Sequence, residues 1–276
     1  MSIPDPADAR PEFGLPDPGV SDPESSDPES SVTGSSDPGS SVTGSSDPGA
    51  ESPAEAFTLF AVFRLSSSHP LVIDGRDVPG SVRELEDVAE LIENEGVALR
   101  GWYDVSGMRS DADLMVWLHG AAAEDLQWAL RELRRTSLLR PLIRTWSAMG
   151  VHRDAEFNRS HVPGFMRDEP ARQWLAVYPF VRSTDWYLID PAERGRMLAE
   201  HGRAGAAHTG VVANTVSAFA LGDYEWLLPM EADELTELVD MMRDLRAVDA
   251  RRYVSAETPF YTGRLIEPAE IVEVLQ

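Results

Sequence analysis

Twice along this chain the spacing of apolar residues spells one succession: strand, helix, strand, strand, helix, strand. In the first half, 57–65 reads as an aromatic and apolar strand, and Ser81-Val82-Arg83-Glu84 offers a capping box to a helix. Leu85, Val88 and Ile92 give that helix its apolar stripe, and Gly96 ends it. Strands follow at 97–105 and 113–118, then a second helix at 122–138 with Leu126, Leu130 and Leu133 on one face, and a closing strand at 145–151. The second half repeats the order, with strands at 174–180, 211–219, 224–230 and 251–256 and helices at 191–203 and 232–245. Two βαββαβ units in tandem predict an α+β chain of two ferredoxin-like domains, 55–152 and 153–276, forming a dimeric α+β barrel-like subunit. Each sheet has its own helices on one face, so its other face has to be buried elsewhere. Pressing the two sheets face to face, with a pocket at one edge, is the expected solution.

The segment 1–54 stands outside that pattern. It is rich in Ser, Pro, Asp and Gly, and the decapeptide at 30–39 recurs at 40–49. Such a composition buries too little apolar surface to offset an ordering cost of about 1–2 kcal/mol per residue for the backbone, so a disordered tail is expected. Its eleven acids against a single Arg10 account for ten of the 23 net negative charges, and the remainder of the chain still carries −13. A field of that sign excludes a binder of nucleic-acid phosphates. The absence of cysteine excludes disulfides, thiolate haem ligation, zinc–thiolate sites and cysteine nucleophiles together. No apolar run reaches the roughly 18 residues needed to span a bilayer, and no basic-then-apolar leader opens the chain, so a cytoplasmic setting is expected.

Oxidisable and metal-binding side chains concentrate between Trp174 and Trp226. Tyr178 sits in a strand just before the break expected at Pro179. Asp190-Pro191 is a favoured helix start, and the helix it opens places His201 in its last turn before a stop at Gly202. The other histidines are His69, His119, His152, His161 and His208. By spacing alone His201 reads as an ordinary helical histidine, Tyr178 as a core aromatic, Arg182 as a surface arginine and His161 as a loop histidine. No Walker loop, dinucleotide-binding glycine signature or Ser-His-Asp set occurs.

Four stretches carry a resemblance. Tyr178-Pro179-Phe180-Val181-Arg182, Trp186-Tyr187, Leu198-Ala199-Glu200-His201-Gly202 and the run from Asn214 to Trp226 resemble, in order and spacing, the coproheme decarboxylases of the chlorite dismutase superfamily, in their actinobacterial branch. The resemblance implies peroxide-dependent decarboxylation of coproheme (iron coproporphyrin III), at once substrate and cofactor, to haem b. It implies His201 as the proximal iron ligand, Tyr178 as the residue that becomes a radical and takes hydrogen from a propionate, and Arg182 as a propionate partner. It implies His161, on the connector between the repeats, as the base that deprotonates hydrogen peroxide. An imidazole with an ordinary pKa of about 6.5 suits that exchange near neutral pH. Trp186 and Trp226 resemble tryptophans lining the porphyrin pocket. Ala218 occupies a position that is arginine in chlorite dismutases, which speaks against chlorite chemistry. The same resemblance implies a homopentamer and a transient contact with the ferrochelatase that supplies coproheme. A chlorite dismutase, a non-catalytic haem-delivery protein and a dye-type peroxidase remain as competing readings.

Overall fold

The computed structural model describes residues 56–68, 75–153, 162–167 and 169–276. The 1–54 tail and His161 lie outside them. The first half contributes β1 (Phe57–Arg64), α1 (Val78–Asn94), β2 (Ala98–Asp104), β3 (Leu114–Gly120), α2 (Ala123–Leu133) and β4 (Ile143–Val151). The second half contributes β5 (Trp174–Arg182), α3 (Thr184–Leu188), α4 (Pro191–Ala206), β6 (Val212–Ala213), β7 (Val216–Ser217), β8 (Trp226–Ala232), α5 (Leu235–Leu245), β9 (Val254–Ala256), β10 (Tyr261–Ile266) and α6 (Ile271–Val274).

The expected pairing of two sheets is realised differently. The strands form one antiparallel ten-stranded sheet in the order β6-β8-β7-β4-β1-β3-β2-β10-β5-β9, and an additional β5–β8 ladder closes it on itself. Two seams join the halves edge to edge: β2 with β10, from Asp104↔Arg264 to Trp102↔Ile266, and β4 with β7 at Val151↔Ser217. Closure removes the exposed edges that two separate sheets would have presented.

Alternation along the strands sends one set of side chains inward and the other outward. Inside the closed sheet Phe60, Val62, Tyr103, Met115, Trp117, Leu175, Val177 and Leu227 form one cluster. A buried ion pair spans the halves through this region: Arg100 Nη2 lies 2.8 Å from Glu231 Oε2, and Asn214 Nδ2 donates to the same oxygen at 3.0 Å. Outside, α1 and α2 cover the first half through Leu85, Ile92, Leu126, Leu130 and Leu133, with Ile271 and Val272 of α6 completing the cover.

Several local expectations need correction. Helix α1 begins at Val78 with Pro79 in its first turn, three residues before the proposed capping box. Glu84 instead accepts the backbone N–H of Ser137 at 2.8 Å. Pro179 does not break its strand but pairs opposite Leu227 inside β5. Phe180 O faces β8, accepting from Glu225 N at 3.3 Å, so the N–H that Pro179 lacks would have pointed the other way. On that side the ladder is interrupted between Val177, opposite Tyr261, and Val181, opposite Ala256. A proline is tolerated where no partner strand waits for a donor.

Asp190 caps α4 as expected, its Oδ1 accepting from Ala192 N and Glu193 N. Gly202 does not stop that helix, which continues to Ala206, so His201 lies one turn inside its end. Helix α2 ends at Leu133 rather than 138, and the strand expected at 211–219 is split into β6 and β7. The strand expected at 251–256 is a 3-10 turn leading into β9, and β10 and α6 were not anticipated.

Candidate active site

The outer face of β5 carries Ala176, Tyr178, Phe180 and Arg182 in alternation, opposite Leu228 and Trp226 of β8. Helices α4 and α5 lie over this face, but they leave a small cavity of about 40 Å³. Its lining comprises Tyr178, Phe180, Arg182 and Leu228 from the sheet, His201 from α4, Met242 and Leu245 from α5, and the segment beyond α5 from Arg246 to Glu257.

Tyr178 is 2% exposed and stacks on Phe260, with ring centroids 4.3 Å apart and planes 19° from parallel. Burial, reinforced by the carboxylate of Glu257, pushes its phenol far above the usual range against the opposing pull of Arg246 and Arg251. The ring therefore stays protonated at any physiological pH. Removing an electron from it requires removing its proton as well.

His201 has the opposite electrostatic bias, toward a neutral ring. Burial lowers its pKa below the ordinary 6.5, and the positive charge of Arg182 lowers it further. At neutral pH the imidazole is uncharged, the form in which histidine ligates a metal.

Arg182 is held on every side. It is 5% exposed, and its Nη1 donates to Ala250 O at 3.1 Å. Its guanidinium carbon lies 3.8 Å from the Trp186 ring centroid and 4.5 Å from that of Phe180. Glu225 anchors the strand end beneath it: one carboxylate oxygen accepts from both Arg182 N and the Tyr187 hydroxyl, each at 2.7 Å. Packing of this kind fixes the cation at the cavity wall.

The structure thus brings Tyr178, Arg182 and His201 into one cavity. Trp186 is fully buried behind Arg182, in a cluster with Met197, Val248 and Ala250, and supports the wall without lining it. Trp226 shares the outer face, opposite Phe180, and meets Phe219 edge-on at 5.6 Å. Ala218 lies with the interior cluster and lines a different cavity, with Trp146, Leu221 and Tyr224. His161 lies outside the described residues.

Three polar lining residues escaped the sequence reading: Arg246, Arg251 and Glu257. Arginine is the chain's only basic residue and occurs 24 times, so none stood out. Their position just past the amphipathic α5 was the one available signal.

The family model for chlorite dismutase matches residues 81–266. A coproheme decarboxylase of Mycolicibacterium smegmatis is 46% identical over 79% of this chain and 94% of its own length. Among solved structures, the chlorite dismutase of Candidatus Nitrospira defluvii in complex with imidazole superposes with a TM-score of 0.70, at 21% identity, over 80% of this chain and 95% of that one. A substituted variant of that enzyme gives the same TM-score and coverage. A match across two thirds of the sequence, a relative at this identity and a shared closed antiparallel sheet establish that this chain belongs to the chlorite dismutase family.

Proposed function

We propose that this protein is a coproheme decarboxylase, converting two propionates of iron coproporphyrin III to vinyl groups at the expense of hydrogen peroxide. The observation that carries the reading is the meeting of a protonated tyrosine, a neutral histidine and a fixed arginine in one largely apolar cavity. For each arm the balance is –CH2–CH2–COOH plus H2O2 giving –CH=CH2, CO2 and two molecules of water.

The lining suits such a ligand. Phe180, Leu228, Met242, Leu245, Val248 and Val254 offer apolar surface to a flat macrocycle, and Arg182, Arg246 and Arg251 offer guanidinium groups to its carboxylates. Among the described residues no cluster of three or more metal-ligating side chains occurs, so His201 would hold the metal as a single protein ligand, as suits haem iron. When bound, the iron supplies the means of drawing oxidising equivalents from peroxide.

The chain's own residues do the rest. His201 holds the macrocycle from the helix side through its uncharged ring. Arg182 pairs with one carboxylate and orients it. Tyr178 gives up an electron and its phenolic proton together, then takes a hydrogen atom from the adjacent propionate, a transfer that needs near contact. His161 is assigned the deprotonation of peroxide. Trp186 and Trp226 are assigned to the walls, and Ala218, which lines the other cavity, brings no guanidinium to hold chlorite products.

Further parts of the reading rest on family likeness and strand order. The first half runs β4-β1-β3-β2 and the second β10-β5-β8-β7, supporting a description as tandem ferredoxin-like repeats. A cytoplasmic homopentamer receiving coproheme from a ferrochelatase completes the proposal. No helix among the described residues is long and apolar enough to cross a membrane.

The test is mass spectrometry of the porphyrin during peroxide titration of the coproheme complex. Two successive losses of a carboxyl group are expected. Intact propionates after excess peroxide would refute decarboxylation, and oxygen release on adding chlorite would favour chlorite chemistry instead.

A further inference from the structure

The cavity holds its arginines in two different ways. Arg182 is immobilised by a backbone carbonyl and two aromatic rings. Arg246 and Arg251 are gripped by a carboxylate of the protein itself. Glu257, whose side chain is 12% exposed, lies 2.7 Å through both of its oxygens from Arg246 Nη1 and 3.1 Å from Arg251 Nη2. All three line the same cavity as Tyr178 and His201. The two arginines are more exposed than the carboxylate that grips them, with side-chain accessibilities of 42% and 36%. Arg246 follows the end of α5, Arg251 lies in the 3-10 turn and Glu257 follows β9, so three separate backbone elements converge on one carboxylate.

We propose that Glu257 is an internal stand-in for a substrate carboxylate: it occupies Arg246 and Arg251 until a propionate arm displaces it, and it reclaims them once that arm has become an uncharged vinyl group. This rests on the porphyrin reading of the cavity and adds to it a device for exchange. A guanidinium pair left bare in an acidic protein would hold a multiply charged ligand tightly, before and after reaction. An internal carboxylate subtracts from that grip only where the ligand brings a carboxylate of its own. Its effect vanishes for an arm already converted, so each turnover ends with the protein closing its own ion pair and the macrocycle loosened on that side. Breaking a mostly buried pair leaves a carboxylate that must be rehydrated or re-paired, which is the source of the competition.

The test uses the full chain and metal-free coproporphyrin III, whose binding is read by porphyrin fluorescence with no turnover. Glu257→Gln keeps the shape and removes the charge. It is expected to tighten coproporphyrin binding by about tenfold, equivalent to about 1.4 kcal/mol, and to slow dissociation correspondingly. The tetramethyl ester of the same porphyrin should bind both proteins within about twofold. Adding Arg251→Gln and Arg246→Gln to E257Q should erase the gain. Glu257→Asp, which keeps the charge on a shorter reach, should shift binding in the same direction by less and serves if E257Q does not fold. Unchanged or weaker coproporphyrin binding by these variants, with normal binding by the wild type, overturns the stand-in role alone. Failure of wild type and variants alike to bind the porphyrin overturns the reading of the cavity as well.

Discussion

On the outer face of β1, Leu59, Ala61 and Phe63 lie beneath α1 and α2 in a continuous apolar cluster. On the outer face of β5, the same alternation presents Ala176, Tyr178, Phe180 and Arg182 beneath α4 and α5, and there a small cavity is left beside Tyr178, Arg182 and His201. The helices explain the contrast. Helix α2 buries Leu126, Ala129, Leu130 and Leu133 and α5 buries Leu238, Met241 and Leu245, whereas α4, rich in Gly, Ala and charged residues, buries only Met197. A helix with a wide apolar stripe is pulled onto its sheet; one without it is held at its ends by a cap and by neighbours, and can leave room. One strand arrangement therefore serves in one half as a sealed core and in the other as core and as the wall of the candidate cavity. Chemistry-bearing side chains occur where the seal is missing.

The sharpest way to break this comparison is Tyr178→Phe. It should retain coproporphyrin binding and lose vinyl product altogether, as followed by mass spectrometry of the porphyrin. Near-normal product would mean that the outer face of β5 is not where reaction occurs. The next test concerns stability. Leu126→Ala, in the sealed half, should cost about 2–5 kcal/mol in urea unfolding, the range for large-to-small changes in packed cores. Met242→Ala, beside the cavity, should cost less than about 1 kcal/mol, because its side chain already borders open volume. Equal costs would show the two faces to be equally packed.

A further effect concerns pH. Burial and then the charge of Arg100 push His119, on β3, down to about 4, and His201 is lowered by burial and Arg182. A histidine whose folded pKa is depressed contributes stability that is present above about 6.5 and lost as pH falls toward its folded value. Unfolding free energy should therefore decline between about pH 6.5 and 4, with His119 accounting for at most about 3 kcal/mol of the loss. His119→Gln should flatten that limb in denaturant melts, and an unchanged slope would remove His119 from the account.

What could be read in advance was whatever depends on neighbours along the chain. The alternation that makes β5 and the Asp190-Pro191 start of α4 are local, and so is the offset between Tyr178 and His201 that carried the family likeness. The errors occur where a distant partner overrode local preference. Pro179 was taken for a break because nothing nearby shows that its missing donor faces a gap between β9 and β10. Strand β10 was missed because Gly263 interrupts its alternation, yet a Cβ there would lie 2.7 Å from Asp104 O, so the glycine is what lets β10 approach β2 and close the sheet. Arg246, Arg251 and Glu257 could not be picked out because their significance is a meeting across three elements.

Most strands and helices and the apolar face of each were legible in the residues alone, since these follow from side-chain identity and short-range periodicity, while the roles of His201 and Tyr178 were suggested only by likeness to a family. Contacts across the fold were needed to show that the sheet closes, that a small cavity remains beside Tyr178 and His201, and that two of its arginines are held by an internal carboxylate. Those outcomes depend on contacts between residues far apart in the chain, whose distances no local pattern encodes.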